Sequence, residues 1–227
     1  YIKQLIGAFN IPVLFLDGYE ADDLIGTLAK KAEKAGFTTY MMTPDKDFGQ
    51  LVSENIFIYK PARFGNEAEV MGIAEVCKKF EIERPEQLID ILGLWGDAVD
   101  NIPGIPGVGE KTAKKLIGEF GSVENVLDNT DKLKGKLKER VEENKEQARL
   151  SKKLATIICD VPVEFDEEQL ILKDLNRESL NEIFNELEFR GLAKRVLETP
   201  PSGSPKRGGE RQRARQPKEE RTWLRKL

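Results

Sequence analysis

Residues Asn101 to Ile117 read NIPGIPGVGEKTAKKLI, and no other stretch restricts the fold of this chain as strongly. Gly104, Gly107 and Gly109 allow positive φ and a close approach of backbone to a ligand. Glu110 onward has the apolar spacing of a helix. A tight turn therefore has to hand over directly to a helix whose first N–H groups have no partner within it.

Free N–H groups at a helix start suit a phosphate oxygen. Lys111, Lys114 and Lys115, in the first turns, add an attraction to phosphates that does not depend on base sequence. A glycine-rich turn before any helix would share the glycines alone. Glycines, apolar spacing and lysines together predict a helix-hairpin-helix element that grips one DNA strand through its backbone. Gly104, Gly107, Gly109, Lys111, Lys114 and Lys115 are its contact residues.

The segments before the hairpin follow a different rhythm. Tyr1 to Phe9 has a helical period, VLFL (Val13 to Leu16) reads as a buried strand, and Ala21 to Ala35 as a helix closed by Gly36. Phe37 to Thr43 and Ile56 to Tyr59 read as two further strands. Strand, helix, strand in this order predicts a parallel α/β layer. Beyond about Glu67 helical patterns follow one another: Ala68 to Phe80, Pro85 to Leu94, Lys111 to Phe120 and Val123 to Leu127. More helices are expected within Leu133 to Ile158 and from Arg177 to Leu197, with Val161 to Phe165 as an extended link. The expected class is thus α/β, a partial and mostly parallel sheet with helices, followed by an all-helical module. The corresponding domains are a metal-binding α/β core at 1–66, a helical DNA-binding region at 67–199 and a basic tail at 200–227.

Charge bears on partners. The net charge of −4 hides an asymmetry, because the tail from Pro200 carries nine basic residues against three acidic and leaves −10 on the rest. The tail lacks apolar periodicity until Trp223 and is expected to be a disordered linker. An acidic body by itself argues against nucleic acid, unless the acids converge on bound cations. No apolar run nears the roughly 20 residues that span a bilayer. Tyr1 opens straight into an amphipathic pattern with no initiator methionine, so it is expected to be a cut within a longer protein. Cys77 and Cys159 form neither a disulfide framework nor a zinc spacing, and fit buried thiols in a reducing compartment. There is no histidine, which leaves carboxylates, lysines, backbone groups and bound ions to carry any chemistry.

The acids fall into three groups at the ends of predicted elements. Glu20, Asp22 and Asp23, in GYEADDL, stand where a strand hands over to a helix. One or two acids there are ordinary capping and dipole partners; three in four positions exceed that role. Asp45 and Asp47, in TPDKDF, follow the strand ending in MMT, on the edge where open parallel sheets bind ligands. At i and i+2 on extended chain they point to one side. Asp97 and Asp100, in LWGDAVDNIPG, would share a helical face. Several carboxylates on one sheet edge repel unless divalent cations sit among them, and hard oxygen ligands suit Mg2+ or Mn2+. Two such ions are a common device for phosphodiester hydrolysis.

GYEADDL, TPDKDFGQL, GDAVDNIPG and GIPGVGEKTAKKLI, in this order, closely resemble the 5′-nuclease (flap endonuclease-like) domains of bacterial DNA polymerase I, over about Tyr1 to Leu197. The resemblance implies a PIN-like nuclease core with two divalent metals and a helical module that holds the duplex. It further implies a 5′→3′ exonuclease or 5′-flap endonuclease that removes flaps and RNA primers at nicks during replication and repair. By that likeness Glu20, Asp22, Asp45, Asp47, Asp97 and Asp100 are metal ligands, direct or through water, and Asp23 supports them from behind. K+ is implied at the hairpin carbonyls. A monomer in the cytoplasm, at the nucleoid, with a polymerase body in the same chain, completes the expectation. Family members begin with a strand bearing a metal-binding aspartate and a basic helical arch. Neither precedes Tyr1, so the alternative is a non-catalytic DNA-backbone-binding fragment. A third expectation is a helical interaction domain whose acids only cap helices.

Overall fold

The computed structural model describes residues 1–62 and 67–198; the basic tail lies outside the described residues. Two compact units share the chain: Leu16–Val163, and a second made of Tyr1–Phe15 with the segment from Glu164 onward.

The first helix, α1 (Ile2–Ala8), belongs to the smaller unit, and the first helix of the larger unit is α2 (Ala21–Lys34). Helix α2 has Asp22 and Asp23 in its first turn and Lys31 and Lys34 in its last, the charge order that favours the helix dipole. Gly36 closes it at φ +86°, a conformation an L side chain rarely adopts. One face of α2 is fixed to the extended segment after residue 156. Thr27 donates to the Ile158 carbonyl and accepts the Val161 N–H at 3.3 and 3.2 Å. A methyl group on Gly26 would stand 2.9 Å from the Ile157 side chain, so glycine permits this close crossing.

Strand β1 (Thr39–Met42) pairs in parallel with β2 (Ile56–Lys60), as the strand–helix–strand order predicts. A third strand, β3 (Glu69–Met71), pairs antiparallel with β2, where periodicity alone suggests a helix from Ala68. Only Met71 of β3 is buried, so three residues gave no strand signature; the helix α3 begins at Ile73 and ends at Phe80. VLFL forms no strand. Val13 and Phe15 are 63% and 83% exposed, and among the described residues no strand pairs along the outer edge of β1 to bury them.

Between β1 and β2 a buried 3-10 turn, Asp47–Leu51, carries the chain under the helical layer. Gln50 ties it there, donating to the Ala155 carbonyl and accepting the Ile157 N–H, each at 2.9 Å. The helices are α4 (Gln87–Trp95), α5 (Glu110–Phe120), α6 (Val123–Asp128), α7 (Gly135–Glu143) and α8 (Lys145–Ala155). Helix α4 is the hub: Leu88, Ile91, Leu92 and Leu94 are fully buried. A side chain on Gly93 would meet the backbone of Lys152 at 3.1 Å, so α4 and α8 pack at backbone distance. The carboxylate of Asp90, buried in α4, accepts the Val123 N–H at 2.9 Å and pairs with Lys152 at 2.7 Å. One acid thereby holds α4, α6 and α8 together.

In the smaller unit, α1 packs with α9 (Arg177–Glu186) and α10 (Arg190–Leu197) around Ala8, Leu180 and Phe184. Asn176 caps α9, accepting the Ser179 N–H at 3.1 Å, and its own N–H reaches the Ala8 carbonyl at 2.9 Å. Among the described residues no helix is long and apolar enough to cross a membrane.

Candidate metal centre and nucleic-acid interface

The centre is assembled from two turns. The first follows β1: the Asp45 N–H donates to Thr43 and the Asp47 N–H to the Asp45 carboxylate, at 3.1 and 3.0 Å. Asp45 and Asp47 are thus related by a hydrogen-bonded turn into the 3-10 segment. They do not lie on extended chain, because Lys46 between them is helical in backbone. The second turn leaves α4. Asp97 and Ile102 pair as an isolated antiparallel bridge with N–H···O distances of 2.9 and 2.7 Å, and the reversal places Asn101 at φ +57°. Asp97 and Asp100 therefore meet on a small hairpin where helical spacing predicted one helix face. The Asp97 carboxylate caps this turn by accepting the Val99 N–H at 2.8 Å.

Carboxylate oxygens of Asp47, Asp97 and Asp100 lie within 4.8 Å of one another. Asp47 and Asp97 are buried and Asp100 is exposed, so the group opens to solvent on one side. Burial, then the charges of Asp45, Asp97 and Asp100, push the Asp47 carboxyl up to about 6 against a partial offset from Lys46. Asp22 is raised too, first by burial and then by Asp45, Glu20, Asp100 and Asp23. Among the described residues the close group holds Asp47, Asp97 and Asp100 alone; Glu20, Asp22 and Asp45 lie outside it and bear on it through their charges. Asp23 stands apart in its bonding: it accepts the Ile158 N–H at 2.8 Å and the Glu20 N–H at 3.3 Å. Its carboxylate shapes the start of α2.

Sequence reasoning missed Lys46. Its ammonium hydrogen-bonds the Asp97 carboxylate, lies 3.5 Å from Asp47 Oδ1 and sits 5.7 Å from the Trp95 ring centroid. Burial would lower the Lys46 pKa, but the two carboxylates prevail and raise it. Burial likewise pushes Asp97 up, and its bonds to Lys46 and to Val99 outweigh that and lower it. The available signal was the lysine between two acids in DKD. A cleft of about 560 Å³ beside the cluster is lined by Lys46, Trp95, Gly96, Asp97, Ala98 and Asn101, among others.

The donor set fits a hard divalent cation. Among the described residues Asp47 Oδ1 is a buried oxygen with no hydrogen-bond partner, its nearest cation the Lys46 ammonium at 3.5 Å, and a directly bound cation would satisfy it more fully.

The glycine hairpin runs directly on from the Asp97–Ile102 turn, so the acids and the hairpin are parts of one continuous structure. Its six expected contact residues divide. Gly109 is exposed at the N-cap of α5, with open space where a side chain would be, and Lys111 and Lys115 are exposed beside it. Gly107 is exposed at φ +78°, and its carbonyl accepts a bond from Arg140 of α7 at 3.2 Å. Gly104 has a different duty. It is buried at φ +60°, its N–H donates to Ser151 at 2.9 Å and its carbonyl accepts from Gln147 at 2.7 Å. Lys114 is also engaged elsewhere, paired with Glu110 and Glu81 at 3.0 and 3.4 Å and donating to the Lys79 carbonyl at 3.0 Å. Cys77 and Cys159 are half-buried free thiols, raised by burial first in each case.

Comparison with known proteins agrees with this geometry. The family described as 5′-3′ exonuclease, N-terminal resolvase-like domain, matches residues 1–81, and 5′-3′ exonuclease, C-terminal SAM fold, matches 83–178. DNA polymerase I of Bacillus subtilis is 45% identical over 199 residues, 87% of this chain and 22% of that protein. A 5′-3′ exonuclease of Aquifex aeolicus is 42% identical over 195 residues, 86% of this chain and 65% of the relative. The chain thus spans about a fifth of the polymerase relatives it matches. Similar folds are zinc-bound T5 5′-exonuclease (TM-score 0.57, 19% identity, 82% of this chain and 62% of that one) and the catalytic core of Rad2 with DNA (TM-score 0.58, 15% identity, 87% and 65%). With both halves matched in order, the chain belongs to the 5′-3′ exonuclease family.

Proposed function

We propose that this chain is the metal-dependent 5′→3′ exonuclease and 5′-flap endonuclease part of a DNA polymerase I-like protein. Its substrates would be DNA 5′ flaps, nicked strands and RNA primers met in replication and repair. The observation that carries the reading is the convergence of the Asp47, Asp97 and Asp100 carboxylates within 4.8 Å, with Asp47 Oδ1 buried and without a hydrogen bond and with Asp97 and Asp100 on the turn that leads into a glycine hairpin. The relatives' names and the DNA and metal of the similar folds support it.

In this reading Asp47, Asp97 and Asp100 hold one Mg2+ or Mn2+. Glu20, Asp22 and Asp45 complete a second position, directly or through water, with Asp23 bracing the start of α2. Bound there, a pair of such ions would supply an activated water and neutralise charge on the scissile phosphate. The chain's own residues do the rest. Burial of Asp47 and Asp97 fixes their orientation. The free N–H groups at Gly109 and the start of α5, with Lys111 and Lys115, anchor the backbone of the duplex strand. Gly107 keeps the turn open to a phosphate, and Gly104 bonds the hairpin to α8 while lying close against the end of α4. K+ at the hairpin carbonyls belongs to the same proposal. The domain division (core 1–66, helical region 67–199, basic linker 200–227), the monomeric state and a cytoplasmic, nucleoid-associated setting are proposed with it.

The test is cleavage of a 5′-flap duplex in Mg2+ by the natural full-length protein. Loss of product in the Asp47→Ala plus Asp97→Ala variant, with DNA binding retained, is expected. Cleavage indifferent to that pair of substitutions would end the reading.

A further inference from the structure

We propose that Lys46 is a resident counter-ion of the acidic cluster, and that a divalent cation loads by displacing its ammonium from Asp97 and Asp47. The inference rests on the metal centre proposed above but concerns a residue that the family pattern of acids does not include.

Three observations carry it. The ammonium makes a hydrogen bond with the Asp97 carboxylate and stands 3.5 Å from Asp47 Oδ1. It thus lies between two of the three carboxylates that meet within 4.8 Å, where a cation bound to those oxygens would have to be. An ammonium and a divalent ion cannot share that place: like charges a few ångströms apart in a partly buried site repel strongly. Second, the fit is incomplete. Lys46 leaves Asp47 Oδ1 without a hydrogen bond, so the ammonium satisfies the cluster less fully than a multi-ligand ion does. A replaceable cation has this character. Third, there is somewhere to go. Lys46 is one-third exposed and lines the open cleft of about 560 Å³ with Ala98 and Asn101, so a flexible four-carbon stem can withdraw without repacking the core.

The exchange has a function in the metal-free protein. Without Lys46, Asp97 and Asp47 would be two buried like charges with no cation, an arrangement that is strongly unfavourable. The lysine keeps the pocket formed and sets the concentration of metal needed to fill it.

The position of Trp95 supplies a readout independent of catalysis. The ammonium lies 5.7 Å from its ring centroid, within cation–π range, so its departure changes the indole's surroundings. The experiment uses the Trp223→Phe background, leaving Trp95 as the sole indole of the two in the chain. Mg2+ is titrated by calorimetry and by tryptophan emission, in that background and with Lys46→Gln added. Glutamine keeps an N–H donor for Asp97, and the background protein alone already tests displacement should the variant fold poorly. The expected result is a Trp95 emission change that tracks the calorimetric isotherm when Lys46 is present. With Lys46→Gln, binding should tighten roughly tenfold or more, as expected for removal of one charge-assisted hydrogen bond from the competition, and the emission change should vanish. Binding of Mg2+ with no change in Trp95 emission, or with Lys46→Gln equal to or weaker than its parent, would overturn the counter-ion role and leave the metal centre standing. Absence of any Mg2+ binding in either protein would overturn both.

Discussion

Replacing Asp47 by asparagine should stabilise the metal-free protein, although Asp47 is among the most buried polar residues in the chain. The carboxyl titrates at about 6 in the fold against an ordinary 3.8. The sign follows from proton binding: between these values the folded state holds a proton that the unfolded state has released, so stability falls as pH rises through that window. Above about pH 6.5 the ionised group is a net cost. Two pK units, with the offset from Lys46 already included, correspond to about 3 kcal/mol; solvent screening reduces this to about 1–2 kcal/mol. Asparagine is neutral throughout and can donate to Asp97 or Asp100. Urea melts in EDTA at pH 7.5 should therefore show Asp47→Asn more stable by about 1–2 kcal/mol, with the difference gone near pH 4. Adding Mg2+ should raise the midpoint of the wild type and leave that of the variant nearly unmoved, reversing their order. Equal or lower stability of the variant in EDTA at pH 7.5 would refute the claim that ionised Asp47 is held under repulsion. An equal Mg2+ shift in both proteins would remove Asp47 from the metal site.

Other perturbations probe the scaffold and the interface. Gly104→Ala would set a methyl group 2.5 Å from the Trp95 backbone at a positive φ, and should cost about 3 kcal/mol or more in urea melts; a loss under about 1 kcal/mol would contradict the packed hairpin. Asp90→Ala leaves the Val123 N–H without its buried acceptor and Lys152 with Glu124 alone, an effect of about 1–3 kcal/mol by the same assay. In salt-titrated DNA binding, Lys111→Ala and Lys115→Ala should each weaken affinity and reduce the salt slope by about 1. Lys114→Ala, whose charge is already paired within the protein, should leave the slope nearly unchanged.

Much of the helical half was legible because its signals are local. Ser122 and Asn176 each accept the N–H three residues on, and Gly121 ends α5 at φ +84°. The sheet was less so. Burial of VLFL depends on neighbouring strands, and β3 is too short for its pairing partner in β2 to leave a mark on its own sequence. The acids were visible as three groups, but spacing misjudged how two of them meet. Asp97 and Asp100 converge through the Ile102 bridge, a contact made by backbone, and Asp45 reaches Asp47 through an N–H bond within a turn. Lys46 and Arg140 escaped notice for a related reason. Each is an ordinary lysine or arginine until the fold sets it against Asp97 or beneath Gly107.

The central claim, that acids from separate turns form one pocket for hard dications, is tested most directly by anomalous scattering from crystals soaked in Mn2+. The account predicts a peak bonded to the carboxylates of Asp47, Asp97 and Asp100, with the ammonium of Lys46 moved away from it. Crystals that diffract well and show no manganese at these three residues, or show it only at unrelated surface acids, would contradict the account.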